Sequence, residues 1–532
     1  MFYRTIIRIW AKTHQTIEPK NCIYNVKRII GKQFTDSDVR IEQGLMSYDI
    51  VNEDGYPRIR VQEHGQPVDY SPEEISSILL TYLKRTTEEF LGSKVKSAVI
   101  TVPANFNDAQ RKATKLAAEM AGLQVLQILN EPTAAAMAYG ADLQGKQNLL
   151  VFDFGGGTLD VSILEVENAN RFRVRATAGN MRLGGEDIDQ RIVQHMLKVI
   201  KSQYGIDASR DEKLKIRLKH ECEAVKRQLS SVASKRIAIA NLFGTKSFIA
   251  NFTRQELEDI CSDLFEKTLE PVREALKMAK MTQKDIAHVI LIGGSSYIPK
   301  VRELLTAYFP DVPLRKSIDP SQAVAKGAAL LASSISLGGT NLDLKLEDVT
   351  PLTLGVNVFG GFMSALIPKG TRLPAENEQN YTTFKNDQEY IDIDVYEGED
   401  SRAKSNHYLG NFKFSGIRPA PKGEPCITIH FKVDTSGILM VTASEGANKM
   451  SMTFREHTQG GAGSNPPDDR NTQQAKKRLQ DALDRAKRDV ARDEQRLIRV
   501  ECLVMWFEAT KNIGFPLMHY ERWGRILQAI LS

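Results

Sequence analysis

No stretch of this chain reaches the roughly 18 consecutive apolar residues that a membrane-crossing helix needs. Met1–Ala11 carries Arg4 and Arg8 inside too short an apolar stretch for a secretory leader, and the final LQAILS holds no retention signal. Cysteine is scarce. Cys22, Cys222, Cys261, Cys426 and Cys502 are scattered, odd in number and form no CxxC pair, which argues against a disulfide framework or structural zinc and fits a reducing compartment. Charge of one sign is lacking too: a net +5 arises from 71 basic and 66 acidic residues, so no bulk field attracts nucleic acid. The expectation left is a cytoplasmic protein with no membrane or nucleic-acid partner. Its 532 residues suffice for about two to four domains.

Glycine, by contrast, is concentrated where it counts. In Leu149–Leu164, LLVFDFGGGTLDVSIL, an apolar run ends in Asp153, Gly155-Gly156-Gly157-Thr158 turns the chain, and Asp160 opens a second β-rich run. The pattern predicts strand, tight turn, strand. Glycines at positive φ would bring successive N–H groups together as an anion nest. Thr158 adds a hydroxyl, and Asp153 and Asp160 stand where a metal-bound phosphate needs carboxylates. Taken alone, the hairpin is equally an ordinary turn.

The flanking sequence reads as an α/β layer. Pro72–Leu91 carries Ile75, Ile78, Leu79, Tyr82, Leu83 and Phe90 at helical spacing behind Ser71 as N-cap, predicting a packed helix. Lys96–Val102 is β-rich, and Asp108–Ala121 is helical and closed by Gly122. Lys27, in NVKRIIGK, reads as a solvated helix end. Glu131, before Pro132 and three alanines, is either a partner of a helix dipole or a carboxylate held toward a site. Gly140–Lys146 has P-loop spacing but follows a helix, precedes a strand and has Gln147 in place of the metal-binding hydroxyl, so it is rejected. Two further glycine turns follow β-rich runs, Gly184-Gly185 and Gly293-Gly294-Ser295. Between them Glu223, Lys226, Arg227 and Ser230 share helical spacing, as a pocket face or a surface ion-pair ladder. Three such turns argue for a nucleotide held between two α/β lobes.

VFDFGGGTLDVSIL, ITVPANFNDAQRKAT, ILNEPTAAAMAYG, RLGGEDID, CEAVKRQLS and ILIGGSSYIPKV together resemble the ATPase domain of the seventy-kilodalton heat-shock chaperones, from about Glu18 to Ala332. The resemblance implies an actin-like two-lobed α/β fold around ATP or ADP with Mg2+ and K+. It makes Gly155, Gly156, Gly157 and Thr158 a phosphate loop and Asp153 and Asp160 carboxylates of the metal shell. Lys27 and Glu131 become the residues that position the attacking water. Gly184, Gly185, Glu223, Lys226, Arg227, Ser230, Gly293, Gly294 and Ser295 then frame the nucleoside. Tyr297 stands where the family stacks an arginine on adenine, and Ser321 where it has an aspartate. Nothing before Lys27 matches the family's opening Asp-Gly-Thr phosphate loop, so weakened hydrolysis and an exposed sheet edge are expected.

Beyond Ala332 the alternating Leu342–Leu346 resembles the family's interdomain linker. Period-2 runs at Ile391–Val395, Ile427–Phe431 and Ile438–Thr442 predict a small antiparallel β-sandwich. It resembles the family's peptide-binding domain, whose groove falls at Phe359, Tyr381, Phe384, Ile391 and Ile393; sandwich core is the competing reading for these. A flexible break, Gly460–Ser464, precedes a charged helix with Ala475, Leu479, Ala482, Leu483, Ala486 and Val490 in register, resembling the start of the helical lid. The expected organisation is an N-terminally truncated ATPase domain (1–338), linker (339–349), β-sandwich (350–457) and partial lid with a divergent tail (458–532). The resemblance implies a chaperone for exposed hydrophobic peptides, with J-domain cochaperones and nucleotide exchange factors as partners. A non-hydrolysing holdase is the alternative. A sugar or glycerol kinase on the same fold is disfavoured by the sandwich.

Overall fold

A computed structural model describes residues 15–452 except 64, 141–142, 210, 244–245, 316–317 and 337–343. The lid from Gly460 onward, with Trp506 and Trp523, lies outside the described residues, as do residues 1–14. The described residues open with 3-10 turns at Pro19–Asn21 and Val26–Arg28, helix α1 (Ser37–Leu45) and an antiparallel meander, β1 (Asp49–Glu53), β2 (Tyr56–Glu63) and β3 (Gln66–Tyr70). Helix α2 (Pro72–Leu91) starts at a capping box in which Ser71 Oγ accepts from the Glu74 amide and Glu74 returns the bond. The helix is where the periodicity predicts it, but Leu79, Leu83 and Phe90 are exposed.

A two-stranded parallel sheet, β4 (Ser97–Val102) with β5 (Gln124–Asn130), encloses α3 (Asp108–Met120), and β5 runs directly into α4 (Glu131–Gly140). The central sheet follows: β6 (Lys146–Phe154), β7 (Leu159–Glu167) and β8 (Arg171–Asn180), then α5 (Gly185–Tyr204), α6 (Glu212–Leu229) and the hairpin β9 (Ser234–Phe243) and β10 (Lys246–Thr253). Short helices α7 (Arg254–Ile260), α8 (Ser262–Lys267) and α9 (Glu270–Ala279) lead to β11 (His288–Ile292), α10 (Pro299–Tyr308), β12 (Leu314–Arg315), α11 (Ala323–Ser336) and β13 (Lys345–Glu347). Six strands align as β12-β11-β6-β7-β8-β13. Both faces of this sheet are covered. Leu150, Phe152 and Phe154 enter one core with α5 and α6, whereas Leu149 and Val151 enter another with α4 and α11. That is why β6 reads as a continuous apolar run rather than an alternating one.

The remaining strands are β14 (Leu354–Val358), β15 (Phe362–Ile367), β16 (Ala375–Tyr381), β17 (Tyr390–Glu397), β18 (His407–Ser415), β19 (Ile427–Val433), β20 (Leu439–Glu445) and β21 (Asn448–Met452). They form two four-stranded antiparallel sheets, β15-β14-β17-β18 and β16-β19-β20-β21, over one shared core. Ile427, Ile429 and Phe431 point into it, as the alternation requires. The sandwich docks on the N-terminus of α3. The Leu439 amide donates to Asp108 Oδ1 at 2.8 Å, the Asp108 amide to Glu397 Oε2 at 3.3 Å, and the Ile128 amide to Ser436 Oγ at 3.1 Å.

Candidate functional site

The hairpin between β6 and β7 sets the site. Asp153 and Asp160 are cross-strand partners on these strands, which puts two carboxylates side by side next to the hairpin's turn. Lys27, on the 3-10 turn, and Glu131, at the first residue of α4, meet in a 2.6 Å ion pair across 104 residues of sequence. Lys27 is therefore no solvated helix end, although its ammonium stays open to the cleft. Burial works against its charge, but Glu131, followed by Asp153 and Asp160, offsets this and leaves its pKa raised.

Three carboxylates face one ammonium, so negative charge is in excess. Burial, then Glu131 and Asp160, pushes the Asp153 carboxyl well above its ordinary value. Burial and Glu131 likewise take Asp160 to about 6, against the hydrogen bonds it accepts from Asn105. Asp160 Oδ2 is buried without a partner. A hard divalent cation fits this donor set, with oxygen ligands and unneutralised charge. Among the described residues no group of three such side chains is close enough to hold a metal by itself, so phosphate and water would complete its shell.

A raised carboxyl pKa has a definite consequence for stability. The folded state holds the Asp160 proton more tightly than the unfolded chain, so stability falls as pH rises from about 4 to about 6. Asp160→Asn is expected to stabilise the nucleotide-free protein at pH 8 by up to about 3 kcal/mol, with no gain near pH 3. Thermal melts at both values check this; an equal melting temperature at pH 8 counts against it.

The three glycine turns converge above this cluster. The Gly185 amide donates to Gly155 O at 3.0 Å and the Glu186 amide to Gly156 O at 2.8 Å. Ser295 Oγ donates to the same Gly155 O at 2.7 Å. One expectation is corrected here. Gly155, Gly156 and Gly157 do not adopt positive φ; among the site glycines only Gly293 does, at +78°. The amides at the start of α5 are taken up by the hairpin and so do not face a ligand. What glycine supplies is close approach: a Cβ on Gly184 would lie 2.4 Å from Gly156 O, and one on Gly293 2.4 Å from Phe154 O. Among the described residues no hydrogen bond takes up the amides of Gly156, Gly157 and Thr158.

Lys226 is buried, donating to Gly185 O and Asp189 Oδ2 at 2.8 Å each. Glu223 lies on the same helix, Arg227 is exposed, and Ser230 caps the helix C-terminus. Gly294 and Ser295 belong to a short 3-10 turn with Tyr297. Tyr297 is 40% exposed, donates its hydroxyl to Asp319 at 3.2 Å and has Arg302 over its ring. Ser321 donates to the same Asp319 oxygen.

Some residues of the site gave little signal in sequence. Arg28 bridges Gly157 O, Asp187 and Glu42, each at 3.3 Å, tying the 3-10 turn to the hairpin and to α5. Its only mark was adjacency to Lys27. Asn105 and Asp189 lay inside the motifs ITVPANFNDAQRKAT and RLGGEDID but were not singled out within them. In the sandwich, Phe359 is 91% and Phe384 59% exposed, while Tyr381 and Ile391 are half-buried. Ile393 is 2% exposed within the core, so it is corrected to a core residue: its strand alternation points it inward.

Comparison with known proteins places the sequence in a family. The Hsp70 protein family model matches residues 5–506. The heat shock 70 kDa protein of Emericella nidulans is 43% identical over 453 residues, 83% of this chain and 70% of that protein. That of Neurospora crassa is 43% identical over 441 residues, 82% and 68% of the two chains. The heat shock 70 kDa protein BIP3 of Oryza sativa subsp. japonica is 42% identical over 446 residues, 83% and 66%. With a family match through nearly its whole length and relatives above two-fifths identity, the chain belongs to the Hsp70 family.

Proposed function

We propose that the chain is an ATP-regulated chaperone that binds exposed hydrophobic peptide segments, with residues 1–338 as ATPase domain, 339–349 as linker, 350–457 as peptide-binding sandwich and 458–532 as partial lid. The observation that carries this reading is the convergence of the Gly155, Gly185 and Gly293 turns over Lys27, Glu131, Asp153 and Asp160. In it the amides of Gly156, Gly157 and Thr158 hold the phosphates, and Lys27 with Glu131 orients the attacking water. Asp153 and Asp160 would hold Mg2+ and K+. Bound Mg2+ supplies the charge neutralisation that three carboxylates beside a triphosphate require. Lys226, Glu223, Arg227, Ser230, Gly294, Ser295 and Tyr297 frame the nucleoside.

Phe359, Phe384, Tyr381 and Ile391 present an apolar surface to extended peptides, and J-domain cochaperones and nucleotide exchange factors act on the cycle. A holdase that binds peptide without hydrolysis is the second reading, favoured by the sandwich having its own closed core. Binding of a fluorescent hydrophobic peptide, with and without Mg-ATP, decides. Faster peptide release with Mg-ATP, abolished by chelation, is the expected result. Peptide binding indifferent to ATP leaves the holdase, and no peptide binding sinks both.

A further inference from the structure

We propose that Glu347, gripped by Arg171 and Arg173, is an ionic latch that fastens the segment leading into the sandwich to the edge of the six-stranded sheet, and that ionic strength opens it. Strand β13 is only three residues, Lys345–Glu347, paired in parallel with Arg171–Arg173 of β8. So short an edge strand has few backbone bonds to hold it; one more comes from the Lys345 amide to Asn170 O at 2.8 Å.

The side chains supply the rest. Arg171 donates to Glu347 Oε1 through Nε at 3.1 Å and Nη2 at 2.8 Å. Arg173 donates to Oε2 through Nε at 2.8 Å and to Oε1 through Nη2 at 3.3 Å. Two planar guanidinium groups thus close on one carboxylate: Arg173 spans both oxygens as a fork, the strong geometry for such a pair, while both Arg171 nitrogens reach one oxygen. Arg173 is itself held by Glu165 at 2.9 Å, and Arg372, from the sandwich side, reaches Glu347 at 3.6 Å. The hydrogen bonds from Arg173 and Arg171 take the Glu347 carboxyl down to about 2.

The latch sits one residue from a second anchor. Asp348 turns inward and accepts from Asn130 at 2.9 Å and Thr133 at 3.2 Å. Asn130 precedes Glu131, so the same short stretch touches both the sandwich connection and the helix that presents a candidate site residue. Its role in coupling peptide binding to nucleotide rests on the chaperone reading; the latch itself does not.

Hydrogen exchange of the full chain, without nucleotide or peptide, tests it. Raising salt from about 0.1 M to about 1 M shortens the screening length from about 10 Å to about 3 Å. The expected result is about tenfold faster exchange at the amides of residues 345–347, with the amides of β6 and β7 unchanged. Glu347→Gln and the double variant Arg171→Gln/Arg173→Gln each show that fast exchange already at low salt and lose the salt response. Combining all three substitutions adds nothing further, because the groups act through one another. Wild-type exchange indifferent to salt, or a change spread over the whole sheet, overturns the proposal. Because exchange is read without ligand, failure of ATP or peptide binding leaves this result standing, and the reverse holds as well.

Discussion

Gly327→Ala is expected to destabilise the protein by about 3 kcal/mol, the upper end for overpacking by a single methyl. Gly327 lies on α11 where it crosses α4, and a Cβ there would fall 1.6 Å from Ala134 O and 2.4 Å from Ala134 C. Those are backbone atoms, so no rotamer change relieves the clash; the helices must separate. Both belong to the core on one face of the central sheet, and the first residue of α4 is Glu131. Separation therefore also draws Glu131 away from Lys27. A fall in melting temperature of about 4 °C, together with weaker nucleotide binding, is the outcome to look for. Gly44→Ala is the contrast: it lies near the end of α1 with nothing within 4 Å of an added Cβ, and it should gain up to about 1 kcal/mol from the better helix former. Equal effects of the two substitutions would mean that the close crossing of α4 and α11 is not what Gly327 serves.

Lys27→Ala should lower single-turnover ATP hydrolysis by about 10²–10³-fold, the range for losing one preorganised donor at a phosphoryl-transfer site. The ammonium is the cation that Glu131, Asp153 and Asp160 share, so its removal has a second signature. Without it the carboxylates repel one another unrelieved, and the nucleotide-free variant becomes less stable as pH rises from about 4 to about 8. Glu131→Gln separates the two effects. It keeps the shape near Lys27, removes one charge, and should cost turnover while relieving the repulsion. Wild-type turnover in both variants would remove Lys27 and Glu131 from the chemistry.

The legibility of this chain depended on the range of the interaction involved. Strand β6 and its hairpin, the N-cap at Ser71 and the alternation of Ile427, Ile429 and Phe431 were all readable, because each is a contact between near neighbours or a periodicity imposed by one element. The apolar spacing of Leu79, Leu83 and Phe90 was also read correctly as helix and wrongly as packed face. Periodicity states which residues share a side, not what lies opposite.

By itself, then, the sequence determined the element types, the order of an α/β part followed by an antiparallel β part, and the family through its motifs. Only the tertiary structure decided that Lys27 and Glu131 meet, that Arg28 and Asn105 join the site, and that Ile393 is core while Phe359 is surface. It also decided what the site glycines are for. Positive φ is a local property and was expected of the hairpin, but Gly184 and Gly293 are needed because distant backbone passes within contact distance of their Cα atoms. That requirement arises only once chain segments far apart in sequence have packed together.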